Sequence, residues 1–232
     1  MKLSLAFVVA AATALLGTTG AHAGRPLQTD DAGILDRAAC ELEGAALRRT
    51  APNERDGEDS LALTCGIGWG HQIGFALASE RALDRRHAGA VVGGKGMLWS
   101  SSDSAANMSL GWQVAEARVT SGAWHHVGTG LNLIASVPLS VSDTLHANIG
   151  YARDETAHAD SSTWGLGIEH ALSGVRWAPM AEVFGDDRGR PWVNAGVRWE
   201  SLAAKLFISG SWGRQLDPAA TKLATVSFRL VL

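Results

Sequence analysis

The feature that most constrains this chain is an alternation of period two, repeated segment after segment. LALTCGIGW (61–69) sets Leu61, Leu63, Cys65, Ile67 and Trp69 on one face, with Ala62, Thr64, Gly66 and Gly68 on the other. MSLGWQV (108–114), VGTGLNLIASV (127–137), TLHANIGYA (144–152) and WVNAGVRW (192–199) repeat the pattern. TVSFRLVL (225–232) carries it to the last residue, with Val226, Phe228, Leu230 and Leu232 against Thr225, Ser227 and Arg229. Successive side chains of a strand point to opposite faces, so these are strands and not helices. Twelve strands are expected, over 38–49, 60–70, 72–80, 88–99, 107–117, 124–137, 143–152, 162–171, 175–184, 191–200, 204–212 and 222–232.

The N-terminus bears on compartment. Lys2, then an apolar stretch from Leu3 to Leu16, then small residues at Ala21 and Ala23 read as a secretory signal peptide over 1–23, cut before Gly24. The stretch is too short for a spanning helix. With a formal net charge of −3 the chain has no excess of basic residues, so no nucleic-acid partner is expected. It is 46% hydrophobic, with nine Trp against one Tyr. An exported chain this apolar, without helical spans, is a β-sandwich, a soluble barrel or a membrane barrel.

Three features favour the membrane barrel. The connections fall into a longer polar set (APNERDGEDS, ERALDRRHA, RDETAHADSS, GDDRGR, GRQLDPAAT) and a shorter set (GHQ, PLSVS, ALSG, SLA, with SSSDSAA its longest member), as in barrels with long outer loops and short periplasmic turns. Trp69, Trp99, Trp124, Trp164, Trp177, Trp192, Trp199 and Trp212 fall near strand ends, where two interfacial aromatic girdles would stand. The polar face is rich in Gly, Ser and Thr and carries Glu41, Glu43, Lys95, Glu169, Arg176, Glu182, Arg198, Glu200, Lys205 and Arg229. Opposed charges of this kind suit a closed lumen. The expectation is therefore an all-β, closed antiparallel transmembrane barrel of about twelve strands over 38–232, in a bacterial (Gram-negative) outer membrane. Its last strand must pair with its first, because an open edge in lipid leaves backbone groups unsatisfied.

Closure places Arg229 near Glu41 or Glu43, and an ion pair across that seam is expected. Glu169 is expected to face Arg176 across a short turn, and Glu182, Arg198, Glu200 and Lys205 to converge. The hairpin register that sets Cys40 opposite Cys65 also sets Leu42 opposite Leu63, so a disulfide is expected. Residues 24–37 either enter the lumen as a plug, with Asp30 and Asp31 meeting Arg198 or Arg229, or hang in the periplasm, and the regular run PLQTDDAG favours an ordered place at the periplasmic mouth. Inward Met97, Trp99, Met180, Phe184 and Phe207 would fill part of the lumen. The histidines do not converge as metal ligands need to, and no cofactor is expected. His170 with Ser161 or Ser162, and His126 with Ser121, are the only pairs that suggest a lipid-active hydrolase, and neither has a third, orienting group.

RPLQTDDAGILDRAACELEG (25–44) resembles the start of the outer-membrane family described as MetA-pathway phenol-degradation proteins, and AEVFGDDRGRPWVNAGVRW (181–199) is similar to that family's hairpin near the C-terminus. The resemblance implies an outer-membrane barrel that passes small, aromatic molecules. Many outer-membrane barrels end in an aromatic residue, whereas this chain ends in Leu232. The expected function is passage of a small, aromatic or hydrophobic solute through a narrow lumen. The alternatives are a closed structural or surface-interaction barrel and, behind it, a lipid-active enzyme. The expected partners are outer-membrane lipid, the barrel-assembly machinery at the C-terminal strand, and the solute.

Overall fold

The computed structural model describes residues 27–232, apart from 53, 83–84, 120–121, 202 and 219–220. The expected signal peptide lies outside the described residues. Twelve strands follow one another: β1 (Cys40–Ala51), β2 (Glu54–Gly68), β3 (His71–Ala82), β4 (Arg85–Ser100), β5 (Asn107–Val119), β6 (His125–Pro138), β7 (Asp143–Asp154), β8 (Ala159–His170), β9 (Trp177–Asp186), β10 (Trp192–Ser201), β11 (Leu206–Gln215) and β12 (Lys222–Val231). Each pairs antiparallel with its neighbours in sequence, and β1 pairs with β12 from Glu41↔Val231 to Thr50↔Lys222, so the sheet closes on itself. Among the described residues no helix is long and apolar enough to cross a membrane.

The alternation explains the two faces. Leu61, Leu63, Phe75, Leu110, Trp112, Leu131, Ile149, Leu166, Ile208 and Val226 all lie exposed on the outer wall. The opposite parity turns inward, and there Thr64, Gln72, Lys95, Ser109, Ser136, Asn148, Glu182, Asn194, Ser209, Thr225 and Ser227 are buried. The polar side of this molecule is its interior, the reverse of a soluble sandwich.

Loop length departs from expectation. Most of APNERDGEDS and ERALDRRHA is paired strand: the β1–β2 ladder runs on to Ala51↔Glu54, and the β3–β4 ladder to Ala82↔Arg85. Ladder hydrogen bonds need no apolar side chain, so strands extend past the point where alternation fades. β2 and β4 consequently reach 15 and 16 residues, against 10 each for β9 to β12. The barrel therefore has a raised wall at β2–β4, on the end away from the chain termini, here called the far end.

Cys40 and Cys65 are directly opposed and disulfide-bonded, with Cα atoms 4.1 Å apart. They fasten the start of β1 to β2 at the end that also holds Val231, the terminal end. Just before Cys40, Ala38 takes a left-handed φ of 63°. Its N–H donates to the Gly66 carbonyl at 2.9 Å, and that of Ala39 to the Asp36 carbonyl at 3.0 Å. This corner turns residues 27–37 away from the wall and into the lumen.

Candidate functional site

Residues 27–37 cross the barrel interior. Followed from Arg37 back to Leu27, they leave the terminal end beside β2 and β3 and rise to mid-height against β8, β9 and β10. The wall holds them mainly by their main chain. Glu182 accepts the Gln28 N–H at 2.8 and 2.9 Å, one bond to each carboxylate oxygen, and the Thr29 N–H at 2.7 Å. Asn194 donates to the same carboxylate at 2.8 Å. Ser136 Oγ accepts the Ala32 N–H at 2.8 Å and is hydrogen-bonded to His146 Nδ1 at 2.8 Å. Gln72 accepts the Leu35 N–H at 2.7 Å. Asn148, with its amide turned to satisfy its neighbours, accepts the Asp30 N–H at 2.7 Å and donates to the Asp30 carbonyl at 3.0 Å.

Lys95 supplies the charge. Its Nζ donates to the Asp31 carbonyl at 2.6 Å and lies 3.4 Å from Asp30 Oδ1, with the lysine side chain 1% exposed. Burial pushes the Asp30 carboxyl well above the usual carboxylate range, although Lys95 beside it pulls the other way. The expected meeting with Arg198 or Arg229 is corrected for Asp30, which pairs with Lys95, while Asp31 lies within electrostatic reach of Arg229.

Two glycines shape the wall to the segment. A Cβ on Gly165 would stand 2.7 Å from Thr29 Oγ1, and one on Gly66 would collide with the carbonyl oxygens of Leu35 and Asp36. The β1–β4 wall carries Ala45, Ser60, Ala62, Ala76 and Ala78, whose short side chains leave a recess.

The other inward charges make a second group. Arg198 forms a fork with Glu169, its Nη1 donating to Oε2 at 2.7 Å and its Nη2 to Oε1. Arg229 Nη1 is 3.8 Å from Glu41 Oε2, and Arg229 stands directly across the ladder from Glu43. Phe207 lies between the two arginines, with guanidinium carbons 4.1 Å (Arg229) and 5.8 Å (Arg198) from its ring centre. Glu200 is half-buried on β10 opposite Phe207.

Several placements differ from the sequence reading. Arg176 and Lys205 lie exposed in turns at the terminal end, so Arg176 does not face Glu169 and Lys205 does not join Glu182 or Arg198. Trp192 leaves the girdle set: it shares the inward parity of Asn194 and stacks on Phe184, ring centres 6.2 Å apart and planes 8° from parallel. Trp99 is outward instead of inward, because an irregularity between Met97 and Trp99 brings it opposite Met108. Trp69, Trp99, Trp124, Trp164, Trp177 and Trp212 are all exposed, and Trp199 pairs with Trp177 on the outer wall. Trp69 occupies a turn at 89% exposure.

Among the described residues the expected His170 pair does not come together. His170 Nδ1 is 2.7 Å from Asp143 Oδ1 at the terminal end, whereas Ser161 and Ser162 are at the opposite end of the same strand. Ser121 lies outside the described residues. Among the described residues no group of His, Cys, Asp or Glu could hold a metal ion.

The fold has solved relatives. The KdgM porin superposes with a TM-score of 0.61 at 8% identity, over 82% of this chain and 98% of that one. The NanC porin gives 0.58 at 8% identity, over 82% and 100%. The β domain of the Bordetella autotransporter BrkA gives 0.53 at 13% identity, over 85% and 100%. At such identities the likeness carries the fold alone. No curated protein matches the sequence significantly. A family model does match, over residues 11–215. The chain belongs to the family described as uncharacterised conserved protein UCP029691.

Proposed function

We propose that this protein is an outer-membrane channel for small solutes, closed at its terminal end by its own residues 27–37. The observation that carries the reading is the inversion of the two faces. A continuous apolar outer wall surrounds an interior of Gly, Ser, Thr, Asn and paired charges, which suits lipid outside and a hydrated path within. The fold shared with the KdgM and NanC porins supports the same reading. Exposed Trp toward both ends of the outer wall fits two membrane interfaces.

The interior narrows the cargo. The wall around the segment is polar, with Lys95, Gln72, Ser136, Asn148 and Glu182 buried there. We therefore read the solute as polar, and the aromatic cargo implied by the N-terminal resemblance draws no support from this wall. A permanently closed structural barrel is the second reading, because most inward side chains are already buried.

Liposome swelling separates the two. Vesicles carrying the protein without residues 24–36 should swell in small polar osmolytes, and vesicles carrying the whole mature chain should swell slowly. Equal, negligible swelling from two well-inserted barrels would establish the closed barrel.

A further inference from the structure

The geometry points to a peptide-binding site on the lumen wall, occupied in this structure by the protein's own N-terminal segment and open to short, extended peptides when that segment leaves. This inference rests on the channel reading and names its substrate class.

What the wall recognises is main chain. Five N–H groups of the segment, those of Gln28, Thr29, Asp30, Ala32 and Leu35, donate to side-chain acceptors on β9, β7, β6 and β3. Main-chain carbonyls are met as well: Lys95 reaches the Asp31 carbonyl, and Asn148 takes both polar groups of Asp30. Any peptide of similar length offers the same donors and acceptors at the same spacing. A sugar or a simple acid offers neither the spacing nor the N–H groups. At one end of the track Gly66 lets the segment's backbone press against the wall, and at the other Gly165 makes room for the small side chain of Thr29. One side chain is read by charge, Asp30 by Lys95, so an acidic residue at the middle of the peptide is favoured.

The hold is suited to exchange. Leu27 and Ala32 are the buried apolar residues of the segment, and its remaining contacts described above are hydrogen bonds and one ion pair. Water can replace such bonds one by one. A permanent stopper would be expected to bury more apolar surface, because dry packing contacts have no such substitute. The wall's own charges, Lys95 and Glu182, also need partners, and an incoming peptide supplies both kinds.

The test uses a fluorescently labelled peptide of the sequence LQTDDAGILDR (residues 27–37) and the detergent-solubilised chain lacking residues 24–36. Anisotropy should show saturable binding. A second peptide, with every residue but the central Asp-Asp changed to Ala or Ser, should bind within about tenfold of the first. Glu182→Gln should weaken both by on the order of tenfold, since hydrogen bonds to a charged group are the stronger kind. A neutral oligosaccharide of similar length should not compete. If truncation prevents folding, Asp30→Arg in the full chain sets two cations against each other and vacates the same wall. No peptide binding to a folded barrel with an emptied wall would overturn the inference, as would equal competition by the sugar. Binding in a barrel that never conducts would overturn the channel reading and leave the peptide site standing.

Discussion

Lys95, on the inner wall of β4, donates to the carbonyl of Asp31 at 2.6 Å while its side chain is almost wholly withdrawn from solvent. A cation buried in this way is held by the segment, and the segment by it. Lys95→Met removes the donor to the Asp31 carbonyl and the counter-charge of Asp30, whose buried carboxyl then stays docked only by taking up a proton, a loss of at most about 3–5 kcal/mol. The barrel itself should keep its strand ladder. The expected outcome is release of residues 27–37 with little change in barrel melting. Limited proteolysis of the segment measures it, and continued protection in the variant would contradict the role given to Lys95.

Asp30 makes docking depend on pH. Its carboxyl is raised in the docked segment, chiefly by burial and against the pull of Lys95, so docking takes up protons. The contribution is full below the ordinary Asp value of 3.8 and is lost as pH rises through the higher docked value. Protection of residues 27–37 should therefore strengthen as pH falls. Asp30→Asn should flatten that profile, and an unchanged profile in the Asn variant would exclude Asp30 as its source.

The Cys40–Cys65 bond closes a loop with a sequence separation of 25 and fastens β1 next to the corner at Ala38. Chain entropy assigns a loop of that size about 3 kcal/mol. Cys40→Ser with Cys65→Ser should lower the denaturant midpoint accordingly. It should also loosen the segment, whose root at Arg37 and Ala38 rests on Gly66. Retained midpoint and retained segment protection would show the bond to be dispensable.

Glu169 and Arg198 neutralise each other inside the barrel. In the chain lacking residues 24–36, Glu169→Gln frees one positive charge in the conducting path. The reversal potential in a salt gradient should shift toward anions. A shift toward cations, or none, would place the pair off the ion path.

Much of this architecture was legible in residues because lipid and lumen impose opposite demands on alternate positions. Leu42 opposite Leu63 and Cys40 opposite Cys65 both follow from one hairpin register, and that register is the one observed. The alternation of the final strand fits it to close on β1, and Leu42 pairs with Leu230 across the closing seam. The extensions of β2 and β4 were hidden because their charged residues stand where alternation no longer marks a strand. Trp192 was misplaced because position near a strand end says nothing about parity, and it pairs inward with Phe184. Trp99 changed face at an irregularity that composition does not mark. The segment's partners were hidden for a different reason. Its contacts are made by main-chain groups, which every residue carries, so Glu182, Ser136 and Gln72 as its acceptors left no pattern in sequence. The run PLQTDDAG pointed to an ordered segment at this end of the barrel, without naming the residues that hold it.

The most direct measurement is single-channel conductance in planar bilayers, comparing the whole mature chain with the chain lacking residues 24–36. The expected result is rare or small openings for the whole chain and discrete, stable steps for the truncated one. Equal large conductance in both would contradict closure by the N-terminal segment. Silence from both, with strand-rich circular dichroism showing inserted barrels, would contradict the channel itself.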